Sequence, residues 1–240
     1  MRIRADLHNH SCLSPCGSLE MSPRFIAEHA KARGIGLMAL TDHNSALNAP
    51  AWDINARQYG IIPLFGIEVT SIEEVHILCI FGTPDEALIF SNEISKVQPK
   101  IKYNVDMFGE EVVVDEHENV LDILDYYLGM ATDWSFDDVI RNGKAAGAIV
   151  IPSHIDRPAY GAISQLGFLP EGNYDAVEVI REESYHGKLA VIKNSDAHHP
   201  EQIGRRNFVI DTECNLINNQ GYVNIENLRE VLYEKKIIIS

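Results

Sequence analysis

Six short stretches of the sequence hold side chains that can grip a metal ion: Asp6-Leu7-His8-Asn9-His10, Thr41-Asp42-His43-Asn44, Glu68, His76, Pro152-Ser153-His154-Ile155-Asp156 and Ser195-Asp196-Ala197-His198-His199. Imidazole and carboxylate donors suit zinc, manganese or iron, and their mixture here does not separate the three. In an extended segment the side chains at i and i+2 point the same way. His8 and His10 can therefore grip one ion, and Asp196 with His198 can reach the same cluster. One histidine at a strand end is ordinarily structural. Six stretches carrying His, Asp or Glu are another matter, because buried charge is costly unless it is paired or metal-bound.

The elements that must carry these groups are short apolar runs. Strands are predicted at Ile3–Leu7, Leu37–Thr41, Ile61–Ile67, Val75–Phe81, Ala148–Pro152, Ala176–Ile180, Ala190–Lys193 and Phe208–Ile210. Several are continuously hydrophobic, as strands covered on both faces are. Helices lie between them. Ser22-Pro23 offers an N-cap with proline at the first helical position, and Gly34 stops that helix. Ser135 with Asp138 resembles a capping box, its helix running to about Gly147, and a last helix spans Ile225–Lys235. Strand–helix alternation predicts a parallel sheet, open or closed into a barrel. In such folds the C-terminal ends of the strands gather on one face. Most of the metal-ligand residues sit at those ends, so groups far apart in sequence converge.

Two places break the alternation. The segment Val69–Val75 is too short for a helical crossover between Glu68 and His76, which predicts a hairpin-like return bringing His76 back beside Glu68. The stretch 83–133 is an insertion that could cap the site, and within it Val112–Val120 reads as a hairpin. With no repeat, low-complexity tract or linker, residues 1–240 are expected to form a single domain.

Of the 240 residues 45% are hydrophobic, enough for a large core without disulfides. Twenty basic against 35 acidic side chains give a formal charge of −15. That balance disfavours bare polyanions, so duplex nucleic acid is not an expected partner. Cys12, Cys16, Cys79 and Cys214 form no CxxC pair and no disulfide framework. The N-terminus shows no signal peptide, and no run approaches the roughly 20 apolar residues of a membrane span. A cytoplasmic setting without membrane contact is the expectation.

As an ordered set, Asp6-Leu7-His8-Asn9-His10-Ser11, Thr41-Asp42-His43-Asn44, Gly66-Ile67-Glu68, His76, Pro152-Ser153-His154 and Ser195-Asp196-Ala197-His198 resemble the motifs of the PHP (polymerase and histidinol phosphatase) family. The resemblance runs from residue 6 to about residue 198. It implies an α/β fold, a distorted (β/α)7 barrel with two or three divalent metal ions (Zn, Mn or Fe) at the C-terminal ends of the strands. It also implies that His8, His10, Glu68 and Asp196 hold a first ion. Glu68 would bridge to a second ion on His76 and His154, and His43 with His198 would hold a third. The third site in the family takes another ligand, commonly His or Asp, from the loop after the first strand. Here that loop is Ser14-Pro15-Cys16-Gly17, a departure that makes the Cys16 thiolate the expected ligand. Asp6 and Asp42 could orient ligand histidines. His29, His117 and His186 fall outside the motifs, and His199 is expected to point away.

The implied activity is hydrolysis of phosphate esters by metal-dependent chemistry, the nucleophile being a hydroxide bridging two ions. Asp42 is the candidate proton donor to the leaving oxygen. Arg157 and Arg205, just past the His154 and His198 segments, are the candidate phosphate-binding groups. A small phosphorylated metabolite or a short nucleotide is the expected substrate. Two other classes stay open: an amidohydrolase-like barrel cleaving C–N bonds, for which no lysine stands at a matching strand end, and a non-catalytic metal-binding regulatory domain.

Overall fold

The computed structural model describes residues 1–239, with residues 106 and 107 described by backbone alone. Its centre is a curled sheet of seven strands. In chain order these are β1 (Arg2–Asp6), β2 (Leu37–Leu40), β3 (Ile62–Thr70), β4 (His76–Phe81), β7 (Ile149–Pro152), β10 (Phe208–Asp211) and β11 (Ile237–Ile239), arranged β11-β10-β1-β2-β3-β4-β7. Two smaller sheets complete the described strands: the hairpin of β5 (Val112–Val114) with β6 (Val120–Ile123), and the parallel pair of β8 (Ala176–Glu178) with β9 (Ala190–Ile192).

The predicted strands are present, but the sheet is mixed. Only β1–β2 and β2–β3 pair in parallel, whereas β3–β4, β4–β7, β1–β10 and β10–β11 are antiparallel. The cause of the central reversal is the short link anticipated between Glu68 and His76, which leaves room only for a hairpin. That hairpin also lengthens β3, which runs on to Thr70 opposite His76 and so places Glu68 inside the strand instead of just past it. The described strands form a curled half-barrel and do not complete the distorted (β/α)7 barrel that the resemblance implied. Among the described residues no ladder joins β8 and β9 to the seven-stranded sheet, and their link to β1 is the bridge between Asn9 and Ala197 just beyond the strands.

Both faces of the sheet are covered, which is why its strands read as unbroken apolar runs. Along β2 the side chains alternate: Met38 and Leu40 pack with the helices α1 (Pro23–Ala32) and α2 (Ala49–Gln58), whereas Leu37 and Ala39 pack with Leu78, Ile151 and Phe208 inside the curl. Gly66 is required in β3, since a Cβ there would lie 2.8 Å from Thr41 Cγ2 and 3.0 Å from the Cys79 carbonyl.

The helix ends follow their signals. Ser22 caps α1 by accepting from the Phe25 N–H, and Ser135 and Asp138 form the capping box of α5 (Phe136–Ala145). The helix α7 (Ile225–Tyr233) carries Asn224 as its cap. The stretch 83–133 opens with a further helix, α3 (Pro84–Val97), whose Ala87, Phe90 and Ile94 pack into the core. A short helix α4 (Val105–Phe108) and the β5–β6 hairpin follow, and α6 (Ala162–Leu166) comes after β7. Among the described residues no helix is long and apolar enough to cross a membrane.

Candidate metal centre

Glu68 is the hub. Its position in β3 turns a fully buried carboxylate into the curl, where five histidines from four segments surround it. Oε1 lies 3.2 Å from His8 Nε2, 3.1 Å from His76 Nδ1 and 3.1 Å from His154 Nε2. Oε2 lies 3.3 Å from His10 Nε2 and 3.2 Å from His43 Nδ1. Asp196 closes the group from the other side, with Oδ1 at 3.4 Å from His8 Nε2 and 3.3 Å from His10 Nε2.

Backbone pairing sets these positions. The Asp196 N–H donates to the His8 carbonyl and the His10 N–H to the Ala197 carbonyl, so segments 8–10 and 196–197 run side by side. The Glu68 N–H donates to the Asp42 carbonyl and the Asn44 N–H to the Glu68 carbonyl, which aims His43 inward. His76 opens β4, and the Ser153 N–H donates to its carbonyl, bringing His154 alongside. His154 (φ +28°), Asp196 (φ +48°) and Asn44 (φ +49°) all have left-handed backbones. Such strain in non-glycine residues concentrates at functional sites.

Three sets of donor atoms lie within 4.8 Å of one another: His8, His10, Glu68 and Asp196; His43, Glu68 and His76; and His10, His43 and His198. The first is the set implied for one ion by the resemblance. In the second, His43 joins Glu68 and His76, while His154 shares the Glu68 Oε1 corner. In the third, His10 joins His43 and His198. Cys16, the expected third ligand, is exposed and lines the cleft without entering any of these sets. Desolvation in the cleft, with the nearby Glu68 and Asp196 carboxylates, pushes its thiol up to about 12.

The donors fit divalent cations. Glu68 Oε2, Asp196 Oδ1, His43 Nδ1 and His76 Nδ1 are buried without a hydrogen-bond partner. Partnerless buried polar atoms are rare, and here they face one another. His8 Nε2 and His10 Nε2 stand 3.1 Å apart, two nitrogens converging on one point. The electrostatics divide the histidines. Burial opposes charge on His8, but Glu68, Glu178 and Asp196 outweigh it and raise it well above the usual histidine value. His10 is raised against burial by the Asp196 and Glu68 carboxylates beside it. Burial, reinforced by His10, holds His43 well below that value and pushes His198 down to about 3, and burial also lowers His76. Glu68 and Asp196 stay ionised despite burial because the histidines pull both well below the carboxylate range.

A second layer holds the donors. Asp42 accepts from the Ser11 N–H (2.6 Å), Ser11 Oγ (2.7 Å) and Ser14 Oγ (2.7 Å), and Ser14 Oγ is 2.9 Å from His10 Nδ1. Both Asp42 oxygens are thus engaged in the interior, not presented at the mouth as the expected proton donor would be. Arg157 and Arg205 do line the cleft, a space of about 410 Å³ that also meets His43, His76, Asp196 and His198. Neither is wholly free: Arg157 Nη1 bonds Asp196 Oδ2 at 2.6 Å, and Arg205 Nε bonds the Ser195 carbonyl at 3.2 Å. His199 and Tyr160 were not expected here, yet both line the same cleft, and the Tyr160 ring stacks on His76 at 4.4 Å. Glu178 was missed as well. Its Oε2 lies 2.9 Å from His8 Nδ1. The available signal was a charged residue inside the apolar run Ala176-Val177-Glu178-Val179-Ile180.

The PHP domain family model matches residues 6–78, which contain His8, His10, His43, Glu68 and His76. The likeness to the PHP domain is thus a match over residues 6–78. No curated protein sequence matches it significantly. Among solved structures it is similar to the lesion-specific endonuclease Q of Pyrococcus furiosus (TM-score 0.70, 18% identity, 98% of this chain and 56% of that one). It is also similar to endonuclease Q in complex with a 27-mer duplex bearing an abasic lesion at the active site (0.65, 18%, 96% and 56%). This chain therefore spans only 56% of the length of endonuclease Q. A protein from Bifidobacterium adolescentis assigned as a metal-dependent phosphoesterase (0.57, 17%, 95% and 95%) shares the fold. So does an amidohydrolase from Chromobacterium violaceum solved with bound sulfate and no metal (0.54, 18%, 98% and 97%). One expectation is overturned. Net acidity is no ground for excluding duplex nucleic acid, because a protein of this fold has been solved on a duplex. Local surface potential, not total charge, governs such contacts.

Proposed function

We propose that this chain is a metal-dependent hydrolase of phosphate esters. The observation that carries the reading is Glu68, one buried carboxylate with histidine nitrogens at 3.1–3.3 Å from both of its oxygens, a bridging arrangement between neighbouring cations. His8, His10, Glu68 and Asp196 would hold one ion, and Glu68 with His76, His43 and His154 another. A further position is available on His10, His43 and His198. Divalent ions held by these residues would supply Lewis acidity, acidifying water and neutralising phosphoryl oxygens.

The residues of the chain do the rest. Burial lowers His43, His76 and His198, favouring the neutral rings that keep lone pairs available. Asp42 fixes Ser14, and Ser14 fixes the His10 ring. Arg157 and Arg205 stand in the cleft wall, where guanidinium N–H groups beyond those already bonded can engage phosphoryl oxygens. Arg157 also neutralises the outer oxygen of Asp196. A cleft of about 410 Å³ has room for a phosphorylated metabolite or a nucleotide. The likeness to endonuclease Q over nearly the whole chain favours a second reading, a phosphodiester within nucleic acid. The likeness to an amidohydrolase keeps C–N cleavage as the competing class.

The test is turnover by the metal-loaded protein on aryl phosphate monoesters and diesters, nucleotides, and single- and double-stranded oligonucleotides, with an amide panel alongside. Phosphate ester cleavage lost in Glu68→Gln and His76→Ala supports the reading. Cleavage of amides alone, or of nothing by fully loaded protein, contradicts it.

A further inference from the structure

Strand β8 is not part of the main sheet, yet its last residue reaches the centre of the site. Glu178 is 2% exposed and belongs to none of the three donor sets. Its Oε2 is 2.9 Å from His8 Nδ1 and accepts from the backbone N–H of His154 at 3.2 Å. Its own carbonyl accepts from the Ile155 N–H at 2.9 Å. One residue thus touches two elements that each deliver a histidine to Glu68.

We infer that Glu178 is a positioning residue that fixes both the ring state of His8 and the backbone turn at His154, and so assembles two parts of the metal centre at once. The first half follows from tautomer chemistry. A neutral imidazole has one N–H and one lone pair, and the partner of the first decides where the second lies. Glu178 accepts a hydrogen bond from the Nδ1–H of His8, keeping the proton there and leaving the Nε2 lone pair aimed at the space between Glu68, Asp196 and His10. The carboxylate also raises the donor strength of the ring, as such partners do for metal-bound histidines.

The second half follows from strain. His154 has φ +28°, a conformation that is strained for a non-glycine residue and persists only where its surroundings enforce it. Glu178 supplies acceptors for two successive N–H groups of that turn, one from its side chain and one from its main chain. The turn in turn sets His154 Nε2 3.1 Å from Glu68 Oε1. Burying a lone carboxylate is unfavourable, and these contacts, with cation binding on the far side of His8, offset it.

This inference rests on the metal-holding reading. The experiment compares native protein, Glu178→Gln and Glu178→Ala in two ways. One is the dissociation constant for Zn²⁺, measured by chelator competition. The other is nitrogen NMR of His8 in the zinc-loaded protein, which reports the proton on Nδ1. Glutamine keeps one oxygen that can accept both hydrogen bonds but lacks the charge, whereas alanine keeps neither. The expected result is about 10–100-fold weaker zinc binding in Glu178→Ala, a smaller loss in Glu178→Gln, and disappearance of the hydrogen-bonded Nδ1 proton signal in Glu178→Ala only. A folded Glu178→Ala with native affinity and an unchanged His8 signal overturns it. Should the alanine variant not fold, native affinity in Glu178→Gln overturns it. Native protein that takes up no divalent ion overturns the metal reading and this inference together, whereas equal uptake by native and variant proteins overturns this inference alone.

Discussion

Across the β3–β4 hairpin, Glu68 Oε1 lies 3.1 Å from His76 Nδ1, although neither atom is held there by the ladder hydrogen bonds of the two strands. The contact joins a carboxylate held well below its ordinary value to a histidine lowered by burial. Glu68→Gln keeps the shape and removes the charge that all five surrounding histidines share. Its expected effect is loss of divalent-ion affinity greater than the roughly 100-fold upper range for residues behind the ligands, at more than one ion position, with phosphate ester turnover lost in parallel. Metal content after gel filtration, set beside turnover, checks this.

Arg157 Nη1 sits 2.6 Å from Asp196 Oδ2 while Asp196 Oδ1 faces His8 and His10. The arginine side chain is 28% exposed, so the pair is partly screened, and its role is geometric as much as energetic. Arg157→Ala is expected to lower kcat/KM on phosphate esters by about 10–100-fold, the fold-change that about 1.4–2.7 kcal/mol produces. Arg157→Lys should rescue little, because an ammonium cannot reproduce a fork reaching both a carboxylate and a phosphoryl oxygen. Steady-state kinetics of the two variants decide it, and full activity in Arg157→Lys would assign the residue to charge alone.

Metal uptake should release protons, and the histidines responsible are identifiable. His8 and His10 are raised in the ion-free protein and carry protons near neutrality that a cation must displace. His43, His76 and His198 are lowered and have none to lose. Affinity therefore rises with pH through the raised values of His8 and His10, while the other three titrate below their usual value. Calorimetry of zinc binding at pH 7 in buffers of different ionisation enthalpy should show net proton release. Release near zero would contradict the charge division.

Glu111 is fully buried, accepts from the Leu128 N–H through both oxygens, and is pushed by burial up to about 8. A carboxylate with a raised folded value destabilises the fold as it ionises. The cost is absent below the unfolded value near 4.5, grows as pH rises, and is complete above about 8. Glu111→Gln should accordingly raise Tm at pH 9 and change it little at pH 5. Thermal unfolding of the ion-free protein at the two values checks the sign.

Gly143 in α5 is a packing glycine. Alanine would gain about 1 kcal/mol of helix propensity, but its Cβ would lie 2.9 Å from Cys79 Sγ and 3.0 Å from Val150 Cγ2. Overpacking of this kind costs about 1–3 kcal/mol, so Gly143→Ala is expected to be neutral to destabilising by up to about 2 kcal/mol. Denaturant unfolding of the variant measures the difference, and a stabilised variant would show that the sheet yields at β4 and β7.

Much of this was legible in the sequence where the signal is local. Apolar runs marked β1, β2, β4 and β7, and Ser22-Pro23 and Ser135 with Asp138 marked two helix starts with their caps. The helix α2 escaped because no side chain caps it and its polar Asn55 is buried, bonded back to the Ala51 carbonyl. The strand β11 escaped because Ile237–Ile239 follows α7 closely and pairs only with β10. In the site, ligand types and spacing picked out the side chains that converge, and the resemblance implied the group of His8, His10, Glu68 and Asp196, but the other two groups were not readable. That His43 joins Glu68 and His76 depends on Asn44 and Asp42 bridging to the backbone of β3. The departure of Cys16 from the donor sets, the interior placement of Asp42 and the use of Arg157 on Asp196 are tertiary facts without a local pattern. The left-handed backbones of His154 and Asp196 left no trace either, since neither is a glycine.

The most direct test of the account is anomalous scattering from crystals of the protein purified with its native ions and never exposed to chelator. The account predicts at least two anomalous peaks flanking Glu68, one within bonding distance of His8, His10 and Asp196 and one beside His76. Well-ordered density for all these side chains with no peak near Glu68, in protein shown to be folded, would contradict it.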